Sequence, residues 1–286
     1  MPRALGDAPI TVVAVHAHPD DETLATGLAL AQHALAGSRV HVITATLGEE
    51  GEVIPAELAH LEGSAELAGH RHHEVTAAMR ALGVQHEYLG ESREPGQASA
   101  TPRWRDSGMA GSRAAAHPRA FVAADLDDAA QVLATRLREI APDVLITYDP
   151  EGGYGHPDHI KTHQVSVAAL QLIDPVARPR MYVAATPLSW AQQDRAWLHA
   201  NVPPDAGLSV PQTDDPHPPS VVPDDAVTDR LIDDEAQRLR VSALRHHPTQ
   251  VTVYCENGTD GYFALSNNVA ARLVGREGYQ EWELDD

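Results

Sequence analysis

The sequence predicts an α/β fold built on a doubly wound, mostly parallel sheet. Two observations carry that expectation: short runs rich in Val and Ile alternate with stretches of helical period, and the helical stretches are bounded by stop and start signals. Strands are expected at 10–16 (ITVVAVH), 39–47 (RVHVITATL), 86–90 (HEYLG), 143–149 (DVLITYD) and 180–186 (RMYVAAT). Between them, helices are expected over 21–36 with a stop at Gly37, over 64–82 with a stop at Gly83, over 125–140 from an Asp125 cap, and over 157–173 with Pro157 at an early helical position. Right-handed crossovers then make 3-2-1-4-5 the economical strand order.

Two long segments interrupt the alternation. Residues 91–120 are too long and too rich in Gly, Pro, Ser and Arg for an idle connection, and are expected to form a loop over a site. Residues 201–223 hold a dense Pro and Asp cluster, an extended excursion before a helix expected at about 224–245. The remainder reads as a strand, a turn, a short helix and a last strand. The expected organisation is a single domain, a core over 1–186 with an α+β extension over 187–286.

Composition narrows the function classes. With 43% apolar residues in 286, the chain is long enough for a substantial core, and its formal net charge of -20 would repel phosphate backbones and anionic membranes. A neutral or cationic small-molecule partner is expected, with no nucleic acid and no membrane. No apolar run is long enough to span a bilayer and the amino terminus lacks the features of a signal peptide, so a cytoplasmic location is expected. The single cysteine, Cys255, excludes an internal disulfide and reads as a small packed residue. Among the 17 histidines, position must identify ligands; His70, His72, His73, His246 and His247 read as surface residues.

In a doubly wound sheet, ligands bind beyond the carboxyl ends of the strands, where the winding reverses between the first and fourth. The loops falling there are HPDDE (His18 to Glu22) and YDPEGGYGHPDH (Tyr148 to His159). His18 and Asp21, three apart across the turn into a helix, can converge on one point, and Asp20 between them need not bind. His159 sits on the first turn of a helix, with His156 and Asp158 beside it. Two imidazoles and a carboxylate leave a fourth position open on a tetrahedral zinc, the pattern of catalytic rather than structural zinc. Paired aspartates after a strand also serve as helix caps. Convergence of both loops on one crevice favours the metal.

AHPDDE together with GHPDH resembles the LmbE-like, or PIG-L, family of zinc-dependent N-deacetylases, which act on N-acetylglucosamine-type sugars. TLGEEGEV (46–53), RWRDSGMAG (103–111) and ALSNN (264–268) extend the resemblance over most of the chain, and it is weakest over 201–223. Within the family, the chain is most similar to the branch that removes acetyl from an N-acetylglucosaminyl inositol for mycothiol biosynthesis. A sister branch of amidases cleaves larger mycothiol conjugates and carries a lysine after the first motif. Here that segment reads DETLATG, with Leu24, and Lys161 is the only lysine in the chain.

The resemblance implies His18, Asp21 and His159 as ligands of Zn2+, or of another divalent ion such as Fe2+. It implies Asp20 as general base, and Tyr154 and His156 as hydrogen-bond donors to the oxyanion. Asp158 would orient His156 and keep it protonated as a general acid. Glu52, Arg71 and Asp106 would contact the sugar, although Arg71 on a helix also fits a solvated face and the two acids fit simple solubility. A phosphate-binding protein is disfavoured, because the first loop has no glycine-rich cradle and places carboxylates where an anion would sit. A non-catalytic metal module is disfavoured by Asp20, a carboxylate the metal does not need.

Overall fold

β1 (Thr11–His16) is buried along its whole length, because a central parallel strand has helices on both faces. It is followed by α1 (Asp21–Ala25), α2 (Gly27–Leu35), β2 (Arg39–Thr44), α3 (Glu66–Leu82), β3 (Gln85–Tyr88), α4 (Leu126–Ile140) and β4 (Val144–Thr147). The single turn α5 (Gly152–Gly155), α6 (Pro157–Gln171), β5 (Arg180–Ala184), β6 (Thr186–Pro187), α7 (Leu188–Asn201), β7 (Val221–Val222) and β8 (Asp229–Ile232) come next. The chain closes with α8 (Asp234–Leu244), β9 (Thr252–Tyr254), β10 (Asp260–Ala264), β11 (Ala270–Val274) and β12 (Arg276–Trp282). This computed structural model describes residues 9–92 and 101–284, so part of the predicted 91–120 loop and the amino-terminal segment 1–8 lie outside the described residues. Among the described residues, no helix is long and apolar enough to cross a membrane.

The main sheet has the order β3-β2-β1-β4-β5-β12-β8. Its first five strands are parallel, as predicted, and β12 runs antiparallel to both neighbours. Side chains alternate across the sheet. Val12 and Ala14 join Val42 and Ile146 under α2, α3 and α8, while Val13 and Val15 join Ile43 and Leu145 under α4 and α6. Burying a side chain of this size contributes about 1.5–3 kcal/mol, so a one-residue slip of β1 would forfeit both faces together. The described part of the carboxyl-terminal extension, 187–284, enters the same core: Leu231, Ala236, Ala243 and Tyr279 all pack in the first cluster.

Four local expectations are corrected. The helix predicted over 224–245 begins only at Asp234, where Asp233 caps it by accepting the N–H groups of Glu235 and Ala236, and residues 229–232 instead pair with β12 as an edge strand. The short helix predicted late in the chain is β11, folded back on β10 by a turn in which Asn268 takes φ 55. α7 has no counterpart in the sequence reading. It carries Arg195, whose guanidinium donates to the carbonyls of Gln212, Asp215 and Pro216 and so organises the Pro and Asp segment.

The fourth correction concerns the first helix, which breaks at Thr26 into α1 and α2. Buried Glu277 on β12 accepts the N–H groups of Leu28 and Ala29 at 2.9 and 3.0 Å, and also the Tyr279 hydroxyl. Arg240, itself paired with Glu277 at 3.6 Å, donates to the carbonyls of Thr23 and Leu24 on the other side of the break. The backbone groups freed by the break are thus met from the distant end of the chain. Glu277→Ala is expected to cost about 3–5 kcal/mol in urea unfolding, since it strands Arg240 and two helix N–H groups. A loss below about 1 kcal/mol would show that Glu277 does not hold the break.

Candidate metal and catalytic site

β1 and β4 are neighbours in register, Val12 opposite Val144 and Ala14 opposite Ile146, so the loops leaving their carboxyl ends emerge side by side. Three atoms from those loops form a nearly equilateral triangle. His18 Nδ1 lies 3.2 Å from Asp21 Oδ2, His159 Nε2 lies 3.3 Å from the same oxygen, and the two ring nitrogens are 3.3 Å apart. Tetrahedral ligands about 2.0–2.1 Å from a zinc stand about 3.3 Å from one another, so the triangle fits a single ion with its fourth position free.

The remaining atom of each imidazole is committed elsewhere, which selects the lone pair that faces the triangle. His18 Nε2 points to Asp106 Oδ1 at 3.3 Å and Asp158 Oδ2 at 3.4 Å, and His159 Nδ1 donates to the carbonyl of Gly152 at 3.1 Å. His18 also lies within 4.8 Å of other groups that could hold an ion, with His156 and His159 and with Asp106 and Asp158. The second grouping uses Nε2, on the far side of the ring from the triangle. Asp21 is steadied by the His18 N–H at 2.9 Å and by the hydroxyl of Tyr148, whose ring stacks on His159 with centroids 4.1 Å apart.

The electrostatics match a cation site. Burial opposes charge on every group here, yet Asp106, Asp158 and Asp21 together hold the His18 imidazole well above its ordinary range. Burial would likewise raise Asp21, but His159 and His18 draw it well below the usual carboxylate range. This much negative charge around buried imidazoles attracts a positive charge, whether proton or metal.

Asp20 is placed differently from Asp21. Burial pushes its carboxyl up to about 7 even against Arg71, whose Nη2 lies 3.3 Å from Oδ2. Its backbone is strained, at φ 124 and ψ -33, a region that costs a non-glycine residue about 1–3 kcal/mol and is held only when the surroundings insist on it. Arg71 is buried, not a surface residue, and donates to the carbonyls of Gly48 at 2.6 Å and Pro19 at 2.5 Å as well. Gly48 is required for this: it has φ +65, and a Cβ there would meet Arg71 Nη1 at 2.0 Å. Gly48→Ala should therefore displace the guanidinium, lowering the thermal midpoint by several degrees and kcat by about tenfold. Unchanged kinetics would show that Arg71 does not serve Asp20.

The other predicted residues divide. Asp158 does not orient His156 through its carboxylate, which accepts the Ser107 N–H at 2.8 Å and faces His18. Instead His156 caps α6, its Nδ1 accepting the Asp158 backbone N–H at 3.1 Å. A ring nitrogen that accepts carries no proton, so Nε2 is the donor. Burial, together with the neighbouring His18 and His159, lowers the His156 pKa to about 4, the reverse of the expected protonated acid. Tyr154 is 56% exposed and stands edge-on to His159. Asp106 is buried beside His18, with its oxygens also taken by the N–H groups of Glu50 and Gly108. Glu52 is exposed, held by its main-chain oxygen to Gln250, and among the described residues it makes no side-chain contact with the triangle.

His247 corrects a further expectation, since it is completely buried and lies 3.2 Å from Glu22 rather than on the surface. The sequence signal for it is nil, because its partner is 225 residues earlier. Tyr148 was visible at the head of the second motif, and only the fold reveals its tasks, a ring stacked on His159 and a hydroxyl that meets Asp21 and the Ala17 N–H.

A family model described as PIG-L: GlcNAc-PI de-N-acetylase matches residues 13–170. The chain is 40% identical over 288 residues to a 1D-myo-inositol 2-acetamido-2-deoxy-α-D-glucopyranoside deacetylase of Thermomonospora curvata, covering 96% of this chain and 91% of that one. Among solved structures, the A40926 pseudoaglycone deacetylase is similar with a TM-score of 0.51 at 19% identity, over 85% of this chain and 83% of its own. The 4-carboxy-2-hydroxymuconate hydratase of Pseudomonas putida is similar with a TM-score of 0.54 at 18% identity, over 97% and 98%. A hydratase beside a deacetylase shows that these distant likenesses carry the fold and not the reaction.

Proposed function

The chain belongs to the PIG-L family of GlcNAc-PI de-N-acetylases, and on that premise we propose that it is a metal-dependent hydrolase that removes the N-acetyl group from 1D-myo-inositol 2-acetamido-2-deoxy-α-D-glucopyranoside, a step of mycothiol biosynthesis. One observation carries the reading: three ligand atoms at tetrahedral spacing, with a second acidic residue, Asp20, buried beside them and held by an arginine instead.

His18, Asp21 and His159 would hold the metal, with zinc the first choice and iron(II) compatible with the same donors. When bound, the metal lowers the pKa of a water from about 15.7 to about 7, making it a nucleophile at neutral pH. Asp20 would accept a proton from the water that attacks the acetyl carbonyl. His156, neutral and carrying its proton on Nε2, donates a hydrogen bond to the oxygen where negative charge develops, and the Tyr154 hydroxyl can join it from the exposed side. Since His156 is not an imidazolium, Asp20 is the group that returns a proton to the departing amine. Asp158 and Asp106 keep the His18 ring turned toward the triangle. Glu52, exposed on the 46–53 loop, remains available to sugar hydroxyls, whereas Arg71 and Asp106 act on the substrate mainly through the groups they support.

The amidase alternative is disfavoured at one position. Leu24, standing where that branch carries lysine, packs with Val241 and Leu244, and Lys161 donates instead to the Ala124 carbonyl. Metal-loaded protein should release primary amine from the acetylated glucosaminyl inositol faster than from a mycothiol conjugate. The opposite ranking would assign the amidase reaction, and release from neither would reject both.

A further inference from the structure

We infer that His247 and Glu22 form a brace that holds Asp20 in the backbone conformation its proton transfer needs. The inference rests on the reading of Asp20 as the base. It concerns two ionisable groups that the mechanism leaves unused, each with no exposed surface.

Asp20 stands at positive φ, so something must hold it there. Arg71 holds its side chain. Its backbone N–H donates to Glu22 Oε2 at 3.0 Å, and its carbonyl accepts from Thr23 and Leu24 at 3.0 and 2.9 Å. Those two carbonyl bonds belong to the first turn of α1 and would form for any residue preceding the helix. The contact with Glu22 is the specific one. Glu22 in turn is fixed through its other oxygen, Oε1, which accepts the Thr23 hydroxyl at 2.6 Å and pairs with His247 Nε2 at 3.2 Å. Without His247 this buried carboxylate would keep only two local donors, the Thr23 hydroxyl and the Asp20 N–H, and no cation; it would reorient to find another partner, and the Asp20 N–H would lose its acceptor.

The post against which Glu22 is braced is itself rigid. His247 lies in a turn closed by the N–H groups of Gln250 and Val251 on its carbonyl. Thr249 in that turn donates twice to Glu74 on α3, the helix that also carries Arg71, and accepts the Ile54 N–H. The carboxyl-terminal part of the chain thereby sets both restraints on Asp20, one through Glu22 and one through the placement of α3. The geometry makes His247 a positioning residue: among the described residues its side chain pairs with Glu22 and not with an atom of the ligand triangle.

The test uses the full-length, metal-loaded protein and the acetylated glucosaminyl inositol. His247→Ala should lower kcat by about tenfold to a hundredfold, with KM within about twofold and one metal per chain retained. His247→Gln, whose amide N–H can reach Glu22, should recover most of that loss. In an Asp20→Asn background, His247→Ala should lower kcat no further, because the group it positions is already gone. A crystal structure of His247→Ala should show Asp20 relaxed out of positive φ. Unchanged kcat, loss of metal, an equal further loss in the Asp20→Asn background, or retained positive φ would each overturn the brace. Should His247→Ala fail to fold, His247→Leu fills the volume without pairing and decides by the same readouts. If the wild-type protein does not turn this substrate over, the functional reading has failed, while the conformation of Asp20 in the variant still decides this inference.

Discussion

Asp20→Asn should keep its metal and lose all but about 1 part in 100 to 1 part in 10,000 of turnover, the range that a positioned general base supplies. Asparagine is the informative substitution here. It matches the shape of aspartate, it tolerates positive φ better than most residues, and its amide oxygen can still receive Arg71, so the φ 124 backbone survives. What it cannot do is accept a proton from water. Because Asp20 lies outside the ligand triangle, metal analysis should find the same occupancy as in the wild type. The pH profile adds a second check. Burial pushes the carboxyl up to about 7, and the base works only when deprotonated, so kcat/KM should fall as pH drops through an acidic limb. A bound cation favours the charged carboxylate and draws that limb below 7. Activity within a few-fold of wild type, or an unchanged acidic limb in the variant, would remove Asp20 from the mechanism.

His159→Ala should abolish both metal binding and turnover. The side chain is 2% exposed, its Nε2 is one corner of the triangle, and its Nδ1–H bond to Gly152 spends the only other polar atom on orientation. Removing it leaves one imidazole and one carboxylate, too few to hold a divalent ion against dilution or a mild chelator. Gly152 shows how tightly the ring is seated, since a Cβ there would lie 2.8 Å from that of His159. The measurement is metal content after gel filtration in metal-free buffer, with wild type expected at one ion per chain. Normal occupancy in the variant would reject the ligand set and turn attention to the Asp106 and Asp158 side of His18. Asp21→Asn should weaken binding through charge alone, since the amide keeps the shape while losing the negative end of the site.

Much of this was legible because the relevant information is local. A fully buried apolar strand followed by His-Pro-Asp-Asp places an imidazole and a carboxylate three residues apart across a turn, and the second loop repeats the device. Caps such as Asp125 and stops such as Gly83 act on their own helix within a few residues, and both stand where the sequence expects them. The errors share a cause as well. The break at Thr26 depends on Glu277, β11 is a strand because it pairs with β10, and β8 because it pairs with β12. In each, a distant partner overrode local propensity. Gly27 was the one visible sign of the break: a Cβ there would lie 2.9 Å from Arg240 Cγ.

By itself, the sequence determined the order of the five parallel strands, the two loops that meet at the reversal of winding, and the identity of the three residues whose atoms form the triangle. Only the tertiary structure decided the rest. It chose which nitrogen of His18 and His159 faces the triangle, gave His156 a cap's tautomer in place of a proton, turned Arg71 inward onto Asp20, and brought His247 to Glu22. The physical reason is the same throughout. Spacing along a chain dictates which residues share a turn, but the protonation and direction of a buried polar group depend on the donors and charges that surround it. Those come from wherever the fold brings them.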